Sequence, residues 1–343
     1  MFVITFGFTF IKKLIIGFDE LVPLNNHFIH NRQKQYCTVN GSISGTVNCE
    51  DNGAQLLENL GVSNSDWRLS RWDSKYRYKF FHIIWPGNTF LEVSEKYAVS
   101  IATQSSLEKL HSIVEVSRHW TGPISLAVFV AGEEFSLTEL YVSYLRHCFP
   151  HVKDQISFHL AYSYDYPPSD GPNFAFDYKK DCSNPEVVLL ELLNLRSPKT
   201  TEWKNSSLYP QNHLRNQARI NCQTEYIYLI DVDIIPCIGM ADNLDQFLRN
   251  SQCDKLCAYV IPVYEVDEKA GFPRNKSEML KLTKDKKARP FHQKIYATAQ
   301  SATDYAMWVN TSALRYYNIM YYCVYIHNPA LRICTSRLCR YTE

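Results

Sequence analysis

Two carboxylates follow an apolar segment in the stretch EYIYLIDVDIIPCIGM, which runs from Glu225 to Met240. They are Asp231 and Asp233, separated only by Val232. Residues i and i+2 of an extended segment project to the same face, so we expect both acids to face outward while Val232 points into the protein. Two like charges side by side are unfavourable unless a cation or solvent screens them. The spacing leaves two interpretations: a divalent-cation site, or carboxylates solvated at the surface end of a strand.

A metal site of this kind would suit a particular chemistry. Hard divalent ions such as Mn²⁺ and Mg²⁺ take oxygen ligands, often one or two carboxylates together with substrate phosphates. A metal bridging Asp231 and Asp233 to a diphosphate suits a nucleotide-sugar transferase, in which negative charge develops on the departing nucleotide diphosphate. We therefore expect a hard divalent ion, Mn²⁺ or Mg²⁺. An Asp-x-Asp triplet also arises by chance about once in a chain of this length, so the pattern needs further support.

A second polar cluster precedes the acidic pair in YPQNHLRNQARI. A proline stands at the start of this predicted helix, and Leu214 and Ala218 share one face at i, i+4. Arg215 and Arg219 have the same spacing. Two guanidinium groups near a helix start suit the recognition of an anion or diphosphate. Solvation of a helix surface explains such a pair equally well.

The elements that must position these residues alternate regularly along the chain. Strand-like apolar segments lie at 97–103, 123–131, 155–163, 225–233 and 256–266. Segments with helical spacing, such as 105–120, separate them. This alternation predicts βαβ units on a parallel sheet, whose ligands bind beyond the carboxyl ends of the strands. The acidic pair lies at one such end.

The composition describes a large globular protein. Of the 343 residues, 36 are basic and 35 acidic, which gives a net charge of +1. Nucleic-acid-binding proteins usually carry a basic excess or stripe, and the sequence has neither. Hydrophobic residues make up 45% of the chain, enough for a sizeable core. We expect one large α/β domain with extensions and no nucleic-acid partner.

Eleven cysteines are present, and no two form a CxxC pair. That pattern disfavours zinc ribbons and thioredoxin-like motifs and favours disulfides formed in an oxidising compartment, although their pairing cannot be deduced. Zinc ligation by Cys253 and Cys257, or by Cys334 and Cys339, is the alternative. Four sequons, predicted to be glycosylated, also favour the secretory pathway. They begin at Asn40, Asn205, Asn275 and Asn310.

The first 18 residues, MFVITFGFTFIKKLIIGF, are apolar but interrupted by Lys12 and Lys13. A membrane-spanning helix needs about 20 predominantly apolar residues, and signal sequences carry their positive charge before the apolar run. Residues 1–18 are therefore either a degenerate signal-anchor or an incorrectly assigned start. Residues 19–94 are largely polar, show little periodicity and are expected to form a stem.

Read together, LYPQNHLRNQAR and YIYLIDVDIIPCIGM resemble the glycosyltransferases of the β-1,4-glucuronyltransferase 1 type. That family also includes the second catalytic domain of the LARGE-type xylosyl- and glucuronyltransferases. Other motifs agree in order between Tyr97 and Asn310: SIATQSSLEKLHSI, PISLAVFVAGEE, VIPVYEV, KSEMLKL, ARPFHQKI and ATDYAMWVN. The resemblance implies a GT-A fold over residues 95–310, which is an α/β architecture with a Rossmann-like, mostly parallel sheet flanked by helices.

The resemblance also implies an activity. It is the inverting, Mn²⁺-dependent transfer of glucuronic acid from UDP-glucuronate to a terminal xylose on an O-mannosyl glycan of the dystroglycan type. Such an enzyme would be a type II Golgi membrane protein with a lumenal catalytic domain. On this chain Asp231 and Asp233 match the metal-binding DxD motif. The donor-side positions that match are Thr103, Gln104, Arg215, Asn216 and Arg219.

The chain departs from the family pattern near its end. The resemblance fades after Asn310, so residues 311–343 are expected to form a divergent tail and to leave the carboxyl-terminal part of the fold incomplete. Relatives continue to a late histidine in a His-x-Gly setting that supplies a further metal ligand. His327 stands in Ile-His-Asn and is not assigned that role, and Asp304 stands where relatives usually have Asn. No catalytic base is assigned. The alternatives are a catalytically impaired glycan- or nucleotide-binding relative and a truncated gene product.

Overall fold

The computed structural model describes residues 2–4, 10–12, 70–169, 181–250, 258–267, 269–293, 303–310 and 320–322. Several predictions therefore concern residues outside the described ones. They are the zinc alternatives at Cys253, Cys257, Cys334 and Cys339, the sequon at Asn40, the position of His327, most of the signal-anchor segment 1–18, residues 19–69 of the expected stem and most of the tail.

The described strands and helices alternate along the chain. The strands are β1 (Phe2–Ile4), β2 (Phe10–Lys12), β3 (Ser70–Trp72), β4 (Tyr78–Trp85), β5 (Val99–Ser106), β6 (Ile124–Phe129), β7 (Ile156–Ser163), β8 (Tyr226–Leu229), β9 (Ile234–Ile235), β10 (Ala258–Val260), β11 (Tyr264–Val266), β12 (Ala288–Pro290) and β13 (Met320–Tyr322). The α-helices are α1 (Phe90–Lys96), α2 (Ile113–His119), α3 (Glu134–Cys148), α4 (Pro150–Gln155), α5 (Pro185–Leu193), α6 (Pro198–Ser206), α7 (Gln211–Ile220), α8 (Met240–Asn250), α9 (Lys276–Lys284) and α10 (Tyr305–Asn310).

The central sheet has the strand order β13-β10-β2-β8-β5-β6-β7-β4-β3. Its middle strands β8, β5, β6 and β7 pair in parallel, whereas β4 pairs antiparallel with β7. A smaller sheet has the order β12-β11-β1-β9. Strand β6 is buried along its whole length, as expected for a parallel strand covered on both faces. The prediction of an α/β fold with a mostly parallel sheet is confirmed, and the architecture is consistent with a GT-A-like domain.

Part of the expected stem belongs to this sheet. Strands β3 and β4 lie inside the range 19–94, and β4 pairs with β7 at the sheet edge. The segment YKFFHIIW is rich in aromatic and β-branched residues, which favour a strand, but its polar surroundings obscured that preference. The sheet therefore begins before residue 95, which we expected to be the start of the domain.

Two predicted elements are divided in the structure. The helix expected over 105–120 begins as a 3₁₀-helix, Leu107–Ser112, and continues as α2. The strand expected over 256–266 is two strands in different sheets, β10 and β11, separated by residues 261–263. The change of sheet needs a break in the hydrogen-bond ladder, and an apolar run does not encode where that break falls.

Helix α7 packs closely on the sheet because small residues lie beneath it. Ala102 of β5, Ala127 of β6 and Ala161 of β7 are fully buried in one cluster with Leu214 and Ala218 of α7. A larger side chain at any of these alanines would have to displace the helix, since protein interiors are close-packed. This packing sets the position of the polar side chains at the start of α7.

One disulfide joins the described residues, between Cys148 at the end of α3 and Cys182. It confirms that the chain forms a disulfide, although the sequence did not predict this pairing, and Cys222 and Cys237 form no disulfide. Of the segment 1–18, the structure describes the two short strands β1 and β2. No helix among the described residues is long and apolar enough to span a membrane.

Candidate functional site

The acidic pair lies in a turn after strand β8. The strand ends at Leu229, and the backbone N–H of Ile234 donates to the carbonyl oxygen of Asp231 at 3.0 Å, which closes the turn. Val232 is 3% exposed, whereas the side chains of Asp231 and Asp233 are 32% and 41% exposed. The expected outward position of both acids is confirmed, but its stated cause was wrong. A turn, and not a continued strand, turns the carboxylates outward while Val232 joins the core.

The carboxylate of Asp231 is the most densely bonded group of the site. Its Oδ1 accepts hydrogen bonds from Gln104 Nε2 at 3.0 Å, from Gln211 Nε2 at 3.3 Å and from Arg215 Nη2 at 2.6 Å. These donors come from the end of β5 and from the first turns of α7. Hydrogen bonds to a charged group are the stronger ones in proteins, so these three donors hold the Asp231 side chain in one orientation. Its Oδ2 has no hydrogen-bond partner within the described part of the chain.

Tyr209 holds Gln104 in place. Its hydroxyl donates to Gln104 Oε1, which leaves the amide nitrogen of Gln104 directed at Asp231. The Tyr209 ring meets Phe129 of β6 edge-on, with ring centroids 6.0 Å apart. Burial of the hydroxyl and the nearby charge of Asp231 raise the pKa of Tyr209. The phenol therefore remains a neutral hydrogen-bond donor at physiological pH.

Asp233 has a different partner. Its Oδ2 lies 2.8 Å from Lys109 Nζ, and Lys109 belongs to the 3₁₀-helix that follows β5. Its Oδ1 has no hydrogen-bond partner within the described residues. The two acids are thus both neutralised from within the chain, Asp231 by Arg215 and Asp233 by Lys109. The site carries two negative and two positive charges.

A buried ion cluster supports the same end of the sheet. Glu108 and Glu134 alternate with Arg196 and Lys204, and Lys204 Nζ lies 2.9 Å from an oxygen of each glutamate. The Glu134 side chain is 0% exposed. Burial raises the pKa of Glu134, against the opposing effect of Lys204. For Glu108 burial acts in the same direction, but Lys204 and Arg196 outweigh it and lower the pKa to about 2.

A tight turn at Gly132 leads from strand β6 into helix α3, whose first residue is Glu134 of this cluster. Gly132 follows β6 with a φ of +52°, and a Cβ there would lie 2.7 Å from the Tyr166 ring. Only glycine fits such a conformation at such a distance. The next residue, Glu133, accepts hydrogen bonds from Ser197 N at 2.5 Å and Thr200 Oγ1 at 2.7 Å, which fastens α6 to the start of α3.

The structure separates the donor-side residues inferred from the resemblance. It brings Gln104 and Arg215 to Asp231. Thr103 alternates with Gln104 on β5 and is fully buried, so its side chain belongs to the core. Asn216 is exposed, and the Arg219 side chain makes no hydrogen bond or ion pair to the described residues. Burial lowers the pKa of Arg219.

The pattern search overlooked three of the contacting residues. Gln211 and Arg215 are the i, i+4 pair of α7 that reaches Asp231, whereas we paired Arg215 with Arg219. Tyr209 lies just before that helix, and Lys109 lies within the quoted motif SIATQSSLEKLHSI. The helical spacing of Gln211 was visible in the sequence. The partner of Lys109 was not, because it is 124 residues away along the chain.

The sequons in the described residues are accessible. Asn205 in α6, Asn275 at the start of α9 and Asn310 at the end of α10 are all exposed. Asn275 also caps α9, since its side-chain oxygen accepts a hydrogen bond from Glu278 N at 3.0 Å. Accessibility is necessary for glycosylation, which remains a prediction at these positions.

The donor set favours a hard divalent cation over zinc. Within the described residues no third acidic, histidine or cysteine side chain joins Asp231 and Asp233 in a metal-binding group. Structural zinc usually takes four nitrogen or sulfur ligands, whereas Mg²⁺ and similar ions use one or two carboxylates and complete their shell with water and phosphate oxygens. The two carboxylate oxygens without hydrogen-bond partners fit the second case. Arg215 Nε is buried and also has no hydrogen-bond partner in the described residues.

Comparison with known proteins assigns the part of the chain that contains this site to a family. A sequence model for a family described as glycosyl-transferase for dystroglycan matches residues 98–327, more than half of the chain. The chain belongs to this family. The match includes Gln104, Lys109, Arg215 and both acids of the turn. It also continues beyond Asn310, where the resemblance of the motifs ends.

Several proteins that are similar to this chain are named as glucuronyltransferases. Beta-1,4-glucuronyltransferase 1 of Danio rerio is 27% identical over 224 residues, which are 63% of this chain and 50% of the relative. The Homo sapiens protein of the same name is 29% identical over 219 residues, or 62% of this chain and 51% of the relative. The xylosyl- and glucuronyltransferase LARGE2s of Gallus gallus is 23% identical over 230 residues, or 66% of this chain and 25% of the relative. The chain thus spans about half the length of the glucuronyltransferase 1 relatives.

Proposed function

We propose that this protein is a metal-dependent, inverting glucuronosyltransferase. It would move glucuronic acid from UDP-glucuronate to a xylose-terminated O-mannosyl glycan of a glycoprotein, in dystroglycan-type O-glycosylation. One observation carries the proposal: at the carboxyl ends of β5 and β8, Asp231 is held by Gln104 and Arg215 beside a second acid, Asp233. Family membership and the printed names of the relatives support the transfer of glucuronic acid.

The residues of the site have separate tasks in this proposal. Asp231 and Asp233 would hold Mn²⁺ or Mg²⁺ through the carboxylate oxygens that have no hydrogen-bond partner among the described residues. When bound, the cation would neutralise the charge that develops on the departing diphosphate. Gln104 and Gln211 keep the Asp231 carboxylate in one orientation, which reduces the reorganisation needed on binding. Arg215 stands beside that carboxylate, and its buried Nε–H has no hydrogen-bond partner among the described residues.

The transfer itself would be a single displacement. The acceptor hydroxyl attacks the anomeric carbon from the face opposite the diphosphate, the bond from that carbon to the UDP oxygen breaks, and the hydroxyl proton passes to a base. Positive charge from Arg215 near the departing diphosphate would favour bond breaking, because preorganised charge costs no reorganisation during the reaction. A Golgi location with a lumenal catalytic domain belongs to the same proposal and is supported by the disulfide between Cys148 and Cys182.

A transfer assay tests this function directly. The full chain is incubated with UDP-glucuronate and a xylose-terminated glycan acceptor in Mn²⁺ or in EDTA, and the product is identified by mass spectrometry. We expect transfer that EDTA abolishes and that Asp231→Asn lowers by about a hundredfold or more. Transfer that is indifferent to EDTA would contradict the metal role. Binding of UDP and Mn²⁺ without any transfer would instead favour a nucleotide-binding relative that has no catalytic activity.

A further inference from the structure

The pair of Lys109 and Asp233 is the more exposed of the two ion pairs of the site. Its Nζ lies 2.8 Å from Asp233 Oδ2, with the lysine side chain 62% exposed and the aspartate side chain 41% exposed. Exposed ion pairs of this kind contribute little, since water screens the charges and a long side chain loses rotamer freedom. The Lys109 side chain can therefore leave Asp233 for another anion at little cost.

Asp231 contrasts with Asp233 in this respect. Three donors share its Oδ1, and the side chain of Arg215 is only 17% exposed. Removing Arg215 from this contact would break a charge-assisted bond in partly desolvated surroundings, which is costlier than breaking an exposed pair. The two acids thus differ. Three donors hold one oxygen of Asp231, whereas one exposed side chain, that of Lys109, contacts Asp233 among the described residues.

The backbone beneath Lys109 is fixed although its side chain is not. Leu107 and Leu110 of the same 3₁₀-helix are both 0% exposed. The neighbouring Glu108 is held by Lys204 at 2.9 Å and by Arg196 in the ion cluster. Any movement is consequently confined to the flexible Lys109 side chain, which extends from a rigid segment next to Asp233.

We propose that Lys109 is an exchangeable counter-cation of the metal site. It neutralises Asp233 while no metal is bound, and it turns to the nucleotide diphosphate once a divalent cation bound to the other carboxylate oxygen, Oδ1, supplies the neutralising charge instead. The inference rests on the proposed function. It adds Lys109 to the site and a thermodynamic coupling between the binding of the cation and the binding of the diphosphate. The cation frees Lys109 for the phosphates, and the phosphates draw Lys109 away from Asp233, so each ligand favours the binding of the other.

Two binding measurements test this role without relying on activity. Mn²⁺ affinity is measured without nucleotide by electron paramagnetic resonance of the free ion, and UDP affinity is measured in saturating Mn²⁺ by calorimetry. We expect Lys109→Met to raise the Mn²⁺ affinity about threefold or more, because the competing cation is gone. The same variant should lower the UDP affinity about tenfold, because a charge-assisted phosphate contact is lost. Lys109→Arg, which keeps the charge, should stay within about threefold of the wild type in both measurements.

A matched control separates this effect from a general change of charge. Lys96 in α1 is also an exposed lysine paired with one carboxylate, 3.8 Å from Glu92, but it lies before the start of β5, at the opposite end of that strand. Lys96→Met should change neither affinity by more than about twofold. Unchanged or weaker Mn²⁺ binding by Lys109→Met, or unchanged UDP binding, would overturn the exchange. Failure of the wild type to bind either ligand would instead refute the proposed function, and the role of Lys109 with it.

Discussion

Arg215 Nη2 lies 2.6 Å from Asp231 Oδ1, so the helix α7 and the turn after β8 are joined by one charge-assisted bond. The two residues are 16 positions apart in the chain. This bond unites the two polar motifs that the sequence presents separately. It also places a guanidinium group, which is suited to binding phosphate, beside a carboxylate that would hold the metal.

Substitution of Arg215 should weaken nucleotide binding. In the presence of Mn²⁺, Arg215→Met is expected to lower UDP affinity about tenfold to a hundredfold, the effect of losing a hydrogen bond from a charged group. The matched control is Arg219→Met on the same helix, since Arg219 contacts neither acid among the described residues. We expect it to change the affinity less than about threefold. Calorimetry measures both affinities. Equal losses of UDP affinity in the two variants would show that Arg219 also contributes to nucleotide binding.

The buried ion cluster should be essential for stability. Glu134→Gln leaves Arg196 and Lys204 with only part of their compensating charge in a buried setting, and such a change costs about 3–5 kcal/mol in the free energy of unfolding. The control is Glu115→Gln, which removes an exposed pair with Arg118 and should cost less than about 1 kcal/mol. Urea unfolding monitored by circular dichroism measures both. A loss below about 1 kcal/mol for Glu134→Gln would refute the stabilising role of the cluster.

Two buried histidines should make the fold sensitive to mild acid. His159 Nδ1 accepts a hydrogen bond from Ile83 N at 2.8 Å, so the neutral ring must donate from Nε2, which lies 2.9 Å from Ser125 Oγ. Burial lowers the pKa of His159 well below its usual value, and burial lowers the pKa of His82 to about 4. The unfolded chain, with a histidine pKa of 6.5, therefore binds more protons than the native protein as the pH falls from 6.5 towards 4.

The sign of this effect is a loss of stability on acidification. Between pH 6 and pH 5 each of the two histidines should remove up to about 1.4 kcal/mol per pH unit from the free energy of unfolding. His82→Gln, which keeps an acceptor for Asn221, should lower the slope by about half. The exposed His151, changed to Gln, is the control and should leave it unchanged. A slope that does not respond to His82→Gln would show that other groups cause the acid sensitivity.

The disulfide should stabilise the protein through the chain that it closes. Cys148 and Cys182 are 34 residues apart, a loop for which the unfolded-state entropy model gives about 3–4 kcal/mol. The paired substitution Cys148→Ser and Cys182→Ser should lower the free energy of unfolding by about that amount. Cys222→Ser, at a buried cysteine that forms no disulfide, is the control in the presence and absence of reductant. If reductant lowers the stability of the wild type and of the paired variant equally, the disulfide is not its target.

The alternation of strands and helices allowed much of the fold to be predicted. Strands β6 and β7 lie within the expected segments because buried parallel strands form continuous apolar runs, whereas β5 begins within its expected segment and extends three residues beyond it, to Ser106. The sheet edge at β4 was missed because its strand signal stands in polar surroundings, and pairing with β7 is a tertiary effect. The break between β10 and β11 was missed for a similar reason, since both halves are equally apolar.

The candidate site was only partly predictable. Asp231, Asp233 and Arg215 could be chosen from residue type and spacing, because carboxylates after a strand and cations near a helix start have a known chemistry. Which arginine reaches the acids depends on how α7 is seated on the alanines of the sheet, and spacing does not contain that information. Lys109 depends on a contact across 124 positions of the chain, so only the folded structure reveals it.

The central claim is that Asp231 and Asp233 hold a divalent cation that recruits a nucleoside diphosphate. Calorimetry of UDP binding to the full chain, in Mn²⁺ and then in EDTA, tests it most directly, with Asp231→Asn and the exposed Asp285→Asn as variant and control. We predict that Mn²⁺ tightens UDP binding at least about tenfold in the wild type and in Asp285→Asn, and that Asp231→Asn removes this difference. Equal UDP affinity of the wild type in Mn²⁺ and in EDTA would contradict the account.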